Sequence, residues 1–262
     1  MAHSNTRRLS WKTRLIGATV LALAGIGQSM AVPLTVGTQV VVGDAPGTNV
    51  FTPSPVNGDA NGLYVGSVTF LLNYAERKSA SAGLFVLNQA PVGTTAWDEF
   101  QAFCLQPNVY LTPFSNPYTV RTLSEAGYPT TPNNYISELW ARYRSHVQTD
   151  TTAAAFQVSL WELAYGATDR DLGDGVFQLE GNSAVRTQAQ TWLTSLTGQG
   201  PQASGLVVLQ NSRYAGVADT QDLLTQTTAV PEPGTLALLA LGLIGLAWSR
   251  QSKRGVPLTH RG

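Results

Sequence analysis

The chain has a single cysteine, Cys104, in the run Phe103-Cys104-Leu105-Gln106-Pro107. A thiol can act as a nucleophile, pair with a second chain, or pack as a small hydrophobe. As a nucleophile it needs a base, and away from the two ends of the chain the one histidine is His146. A Cys104–His146 pair would make a cysteine hydrolase, which also needs an orienting Asn or Asp. No protease-type signature surrounds Cys104, and His146 sits at a polar helix end beside Ser145 and Gln148. One cysteine excludes an internal disulfide framework, an iron–sulfur cluster and a cysteine zinc site. No histidine cluster replaces them, so no metal site and no cofactor are expected. The run Asp169-Arg170-Asp171-Leu172-Gly173-Asp174-Gly175 superficially resembles a calcium loop. Counted from Asp169, Glu180 falls at position 12, but Asp174 takes position 6, where that loop requires Gly. A solvated turn is expected, with weak Ca2+ binding as the alternative.

A second group of residues lies 53 positions further on, in Ala155-Phe156-Gln157-Val158-Ser159-Leu160-Trp161-Glu162. On a helix Gln157, Leu160, Trp161 and Ala164 share one face. Taken alone, that is a core face with a hydrogen-bonded Gln. The order apolar residue, Gln, two spacers, apolar residue, Trp resembles the Gln motif of bacterial surface thioester domains. Phe103-Cys104, followed by Pro107 and Pro113, is similar to their Cys motif. The resemblance covers residues 64–215. It implies that Cys104 supplies the sulfur and Gln157 the acyl carbon of an internal thioester, with Phe103, Phe156, Leu160 and Trp161 as the apolar wall. It further implies a single-use covalent attachment to surface amines, on proteins or exopolysaccharide, in adhesion or biofilm. No catalytic residue is implied, and the chain is expected not to be an enzyme. A non-covalent structural or exopolysaccharide-associated protein of the same fold is the alternative, and a hydrolase using Cys104 and His146 the third.

The elements that must position these residues follow from periodicity. Strands are expected at Val36 to Val42, Leu63 to Leu72, Ala82 to Leu87, Phe100 to Leu105 and Tyr118 to Val120. A helix from Asn133 or Asn134 to Val147 is expected from Ile136, Leu139, Trp140, Tyr143 and Val147. A second starts at Thr151 or Thr152, with Phe156, Leu160, Leu163 and Ala164 as its apolar stripe and Gly166 as C-cap. A third runs from Ala184 to Leu196, and a closing strand from Gly205 to Leu209. The fold class is α+β: N-terminal strands, a central helical segment carrying the Gln motif, and a closing strand.

Both ends read as addresses. Of 16 basic residues, eight lie in the two ends: Arg7, Arg8, Lys12 and Arg14 at one, Arg250, Lys253, Arg254 and Arg261 at the other. The body is thereby acidic, which with a formal net charge of zero for the whole chain argues against nucleic-acid binding. Residues 1–31 have a basic start, an apolar run from Leu15 to Ile26, and Ser29-Met30-Ala31, a signal peptide cleaved after Ala31. The apolar run is too short to span a bilayer. Near the other end stand Val230-Pro231-Glu232-Pro233-Gly234, then apolar Thr235 to Trp248, then Arg250, Lys253 and Arg254. Fourteen helical residues rise about 21 Å, enough for a transient stop-transfer element. This order resembles the PEP-CTERM sorting signal of Gram-negative bacteria. It implies export, transient capture as a short transmembrane helix in the inner membrane, and processing near Pro231, Glu232 and Pro233 by an exosortase-type enzyme. The released protein would go to the cell surface or extracellular matrix. The expected organisation is a signal peptide (1–31), an irregular N-terminal segment (32–62), a thioester-like domain (63–215), a linker (216–229) and a sorting signal (230–255).

Overall fold

The computed structural model describes residues 34–43, 62–111, 116–165, 169–211 and 220–227. The expected signal peptide with its cleavage at Ala31, the C-cap expected at Gly166 and the sorting segment lie outside them. The described residues belong to one compact unit that begins at Val32.

Eight strands and three α-helices are described. Strand β1 is Gln39–Gly43, β2 Gly62–Leu72, β3 Glu76–Pro91, β4 Asp98–Cys104 and β5 Asn116–Arg121. Helix α1 (Thr130–Tyr143) ends in a 3-10 turn at Arg144–His146, and α2 is Asp150–Tyr165. Then come β6 (Phe177–Glu180), α3 (Ser183–Ser195), β7 (Leu206–Asn211) and β8 (Leu223–Gln226). The class is the expected mixture of helix and strand. The architecture is a barrel: β1, β5, β7, β8, β4 and β3 pair in turn, all antiparallel, and β1 pairs back onto β3. Closure removes the free edges that an open sheet would offer.

The long β3 makes closure possible. Its residues Asn88 and Gln89 pair with β4 on one side and β1 on the other, while its first half, Glu76 to Phe85, pairs with β2. Strands β1 and β2 therefore lie end to end along one edge of β3, and β6 extends the β2 side. Residues Glu76 to Ser81 lie ahead of the strand expected from Ala82. Glu76, Arg77, Lys78 and Ser79 face solvent, so no apolar alternation marks this stretch. The turn into β3 uses positive φ at Asn73 and Tyr74, with no glycine to announce it.

Two further strands differ from expectation. Strand β6 is short, and β8 falls inside the stretch read as a linker. Leu223 and Leu224 are buried between β7 and β4, which turns a polar-looking segment into a barrel stave. The three helices start within about four residues of their expected positions. Thr149 caps α2: its hydroxyl accepts from the Thr152 N–H at 3.2 Å, while Thr152 Oγ1 accepts from the Thr149 N–H at 3.0 Å. The expected apolar stripe of α2 is instead a full circumference. Every residue from Ala153 to Leu163 is buried, because the helix packs on β2 and β3 and against α1 and α3.

Two buried glutamates contribute to the pH response of the fold in opposite senses. Glu138 accepts from Arg142 at 2.9 Å and from the Thr197 and Gly198 amides at 3.0 and 2.6 Å. Burial alone would raise its carboxyl, but these donors outweigh that and hold it below the usual range. Its contribution is present at neutral pH and lost as pH falls through that depressed value. Glu138→Ala is expected to cost about 2–4 kcal/mol in urea unfolding. Glu162 goes the other way. Burial first, then the facing Asp169 and Asp171, push its carboxyl up to about 9. Its unfolded form ionises in the ordinary carboxylate range, so the fold loses stability as pH rises from there through about 9. Glu162→Gln is expected to flatten that slope in a melting series across pH; an unchanged slope would refute the assignment.

Candidate functional site

Strand β4 ends at Cys104 with a partner strand on one side. Phe103 pairs with Leu224 and Cys104 with Leu223 of β8. On the other side, β3 is paired with β4 only as far as Phe85 and Ala102. Helix α2 supplies the next partner. The Cys104 N–H donates to Gln157 Oε1 at 2.9 Å, and Gln157 Nε2 donates to the Cys104 carbonyl at 2.6 Å. The carboxamide thus makes the paired bonds that a neighbouring strand residue would make. Both residues are buried. The thiol hangs from the same Cα whose peptide groups grip the carboxamide. Burial pushes the Cys104 thiol up, away from thiolate. Folded Cys104 is therefore expected to resist maleimide, which a labelling time course under native conditions will check.

The expected wall residues divide into two groups. Phe103 and Phe156 converge, with ring centroids 4.6 Å apart, and Trp140 joins them at 5.9 and 5.7 Å. The Arg144 guanidinium stands 5.8 Å from both the Phe103 and the Trp140 rings. Leu160 is buried one turn after Phe156. Trp161 instead contacts Phe70 of β2 at 5.8 Å and Phe177 of β6 at 6.1 Å. His146 is exposed, and its described contacts are Ser145 and the Tyr143 ring. Nothing described links it to Cys104.

Sequence reasoning missed the polar flank of the site. Tyr118 is buried, and its hydroxyl donates to Thr220 Oγ1 at 3.3 Å and to the Gln221 carbonyl at 3.2 Å. Burial raises its phenol, and Cys104 and Asp222 add to that. The Asp222 carbonyl accepts from the Leu105 N–H at 2.9 Å, and its carboxylate accepts from the Asn211 N–H at 2.9 Å. Gln106 Oε1 accepts from the Asp222 N–H at 2.9 Å. Only the Leu223-Leu224 pair could have flagged this segment as structured.

The last described residue is Thr227, at the rim of the barrel. Just beyond it, the PEP-CTERM protein-sorting motif matches residues 229–251. The chain carries a PEP-CTERM sorting signal. Pro231, Glu232 and Pro233 lie within the matched span. The PEP-CTERM motif implies an exported surface protein that an exosortase recognises and processes after transient membrane sorting. Comparison with curated proteins gives no match. Among the described residues no helix is long and apolar enough to cross a membrane; the expected sorting helix lies outside them. The PEP-CTERM motif begins three residues after Gln226, the end of β8.

Proposed function

We propose that this exported protein attaches covalently to an amine on its target through a thioester between Cys104 and Gln157. The observation that carries the reading is the two-point grip of the Cys104 peptide on the Gln157 carboxamide. Formation is a balanced exchange. Sγ attacks Gln157 Cδ, the Cys104 N–H stabilises charge developing on Oε1, and Nε2 leaves as ammonia carrying the thiol proton. The carbonyl that held Nε2 orients the leaving group. Phe103, Phe156 and Leu160 keep bulk water from the acyl carbon. A target amine then attacks Cδ, forming an amide to Gln157 and returning the Cys104 thiol. The event happens once per molecule, without turnover or cofactor. Methylamine tests it: the adduct is expected on Gln157 in a peptide map, with one free thiol appearing per adduct. An unmodified Gln157 after prolonged exposure would refute the reading.

One observation favours a second reading, a non-covalent surface protein. The same two hydrogen bonds satisfy a buried Gln as a purely structural group. In that case Cys104 is a free thiol and methylamine leaves the mass unchanged.

A further inference from the structure

Glu162 lies near the C-terminal end of α2, 1% exposed, and neither carboxylate oxygen has a hydrogen-bond partner. A buried carboxyl without a direct partner stays protonated unless a positive charge is held beside it. It faces the turn that begins at Asp169. The charges of Asp169 and Asp171, in that turn, act on it. Asp169 and Asp171 are themselves exposed.

The turn is shaped to gather acids and remove the base among them. Arg170 has a φ of 55° and sends its guanidinium away, to the Leu196 carbonyl and to within 4.6 Å of the Tyr135 ring centroid. Gly175 has a φ of 82°, and the Asp169 carboxylate folds over it so closely that a Cβ there would lie 2.5 Å from Asp169 Oδ2. Asp171 Oδ1 accepts from the Gly173 N–H at 2.9 Å. A second base, Arg186, stands beside Gly173. Among the described residues no ion pair involves Asp169, Asp171, Asp174 or Glu162.

We propose that Glu162 and Asp169 together hold a divalent hard cation, Ca2+, beneath the Asp169–Gly175 turn. The donor set is all oxygen, and Ca2+, with its six to eight flexible ligands, suits it better than a nitrogen- and sulfur-seeking metal or Mg2+, which demands a near-ideal octahedron. No described group of three His, Cys, Asp or Glu side chains surrounds a single point. Glu162 and Asp169 are therefore the charged ligands, with loop carbonyls and water completing the shell and Asp171 adding charge. Two carboxylates give an affinity of the extracellular-module class, about 0.1–1 mM, matched to an exported protein. This site is independent of Cys104 and Gln157. It is also invisible to a pattern counted forward from Asp169, because its buried ligand precedes the loop.

The test is thermal unfolding of the full chain in detergent at pH 8, in EDTA and in 10 mM CaCl2, with NaCl matching ionic strength. The wild type is expected to gain about 4 °C with calcium. Asp169→Asn, at an exposed position, is expected to fold normally and lose most of that gain. Glu162→Gln is expected to melt higher in EDTA and not respond. A wild-type midpoint indifferent to calcium would overturn the site, as would both variants responding like the wild type.

Discussion

The purified protein is expected to weigh one ammonia less than its termini define, and Cys104→Ala is expected to have full mass. On the proposed reading the effect is all-or-none, because Cys104 Sγ and Gln157 Cδ would be the reacting atoms themselves. Gln157→Ala should also have full mass, and additionally should be less stable by about 1–3 kcal/mol, since it strips both partners from the Cys104 peptide. The two variants thus separate chemistry from packing. Cys104→Ala loses the mass deficit and keeps the carboxamide grip, whereas Gln157→Ala loses both. A wild type of full mass whose Cys104 is quantitatively alkylated after unfolding would sink the covalent reading, leaving the non-covalent surface protein.

Trp161→Ala is expected to be the most destabilising core change, at about 3–5 kcal/mol in urea unfolding. That is a large part of the roughly 5–15 kcal/mol that typically separates folded from unfolded domains. The ring is 1% exposed and fills the space between α2, Phe70 and Phe177. Trp161→Phe should cost much less, because it keeps the ring contacts and removes an indole N–H that has no partner here. Since Trp161 packs away from Phe103, the folded fraction of either variant should retain any ammonia deficit. Loss of the deficit in fully folded Trp161→Phe would show that the indole belongs to the reactive wall after all.

Much of this was legible from the order of residue types. Helical periodicity found all three helices, and the Gln157–Trp161 run drew attention to the residue that meets Cys104. The barrel was less legible, for reasons specific to its staves. Glu76 to Ser79 are strand residues facing water, so they carry no apolar signal. Leu223 and Leu224 are too few to stand out from a polar stretch, and only their pairing with β4 and β7 makes them structural. The same holds for charge. Glu138 and Glu162 look like ordinary solvated helix residues, and their burial depends on loops that close over them. For Glu138 that loop carries Gly198, 60 positions further on; for Glu162 it is the turn at Asp169 and Asp171. A pattern local to α1 or α2 contains neither loop.

The position of β8 has a consequence for timing. The barrel cannot close until Leu223–Gln226 has been exported, because β7 and β4 otherwise lack their shared neighbour. The sorting motif starts three residues later. Completion of the fold and arrival of the sorting signal at the membrane are therefore nearly simultaneous. The Cys104 strand acquires its last neighbour only once the chain has been exported nearly up to the sorting motif. A reactive group assembled there would be built on the outside, beyond reach of cytoplasmic amines.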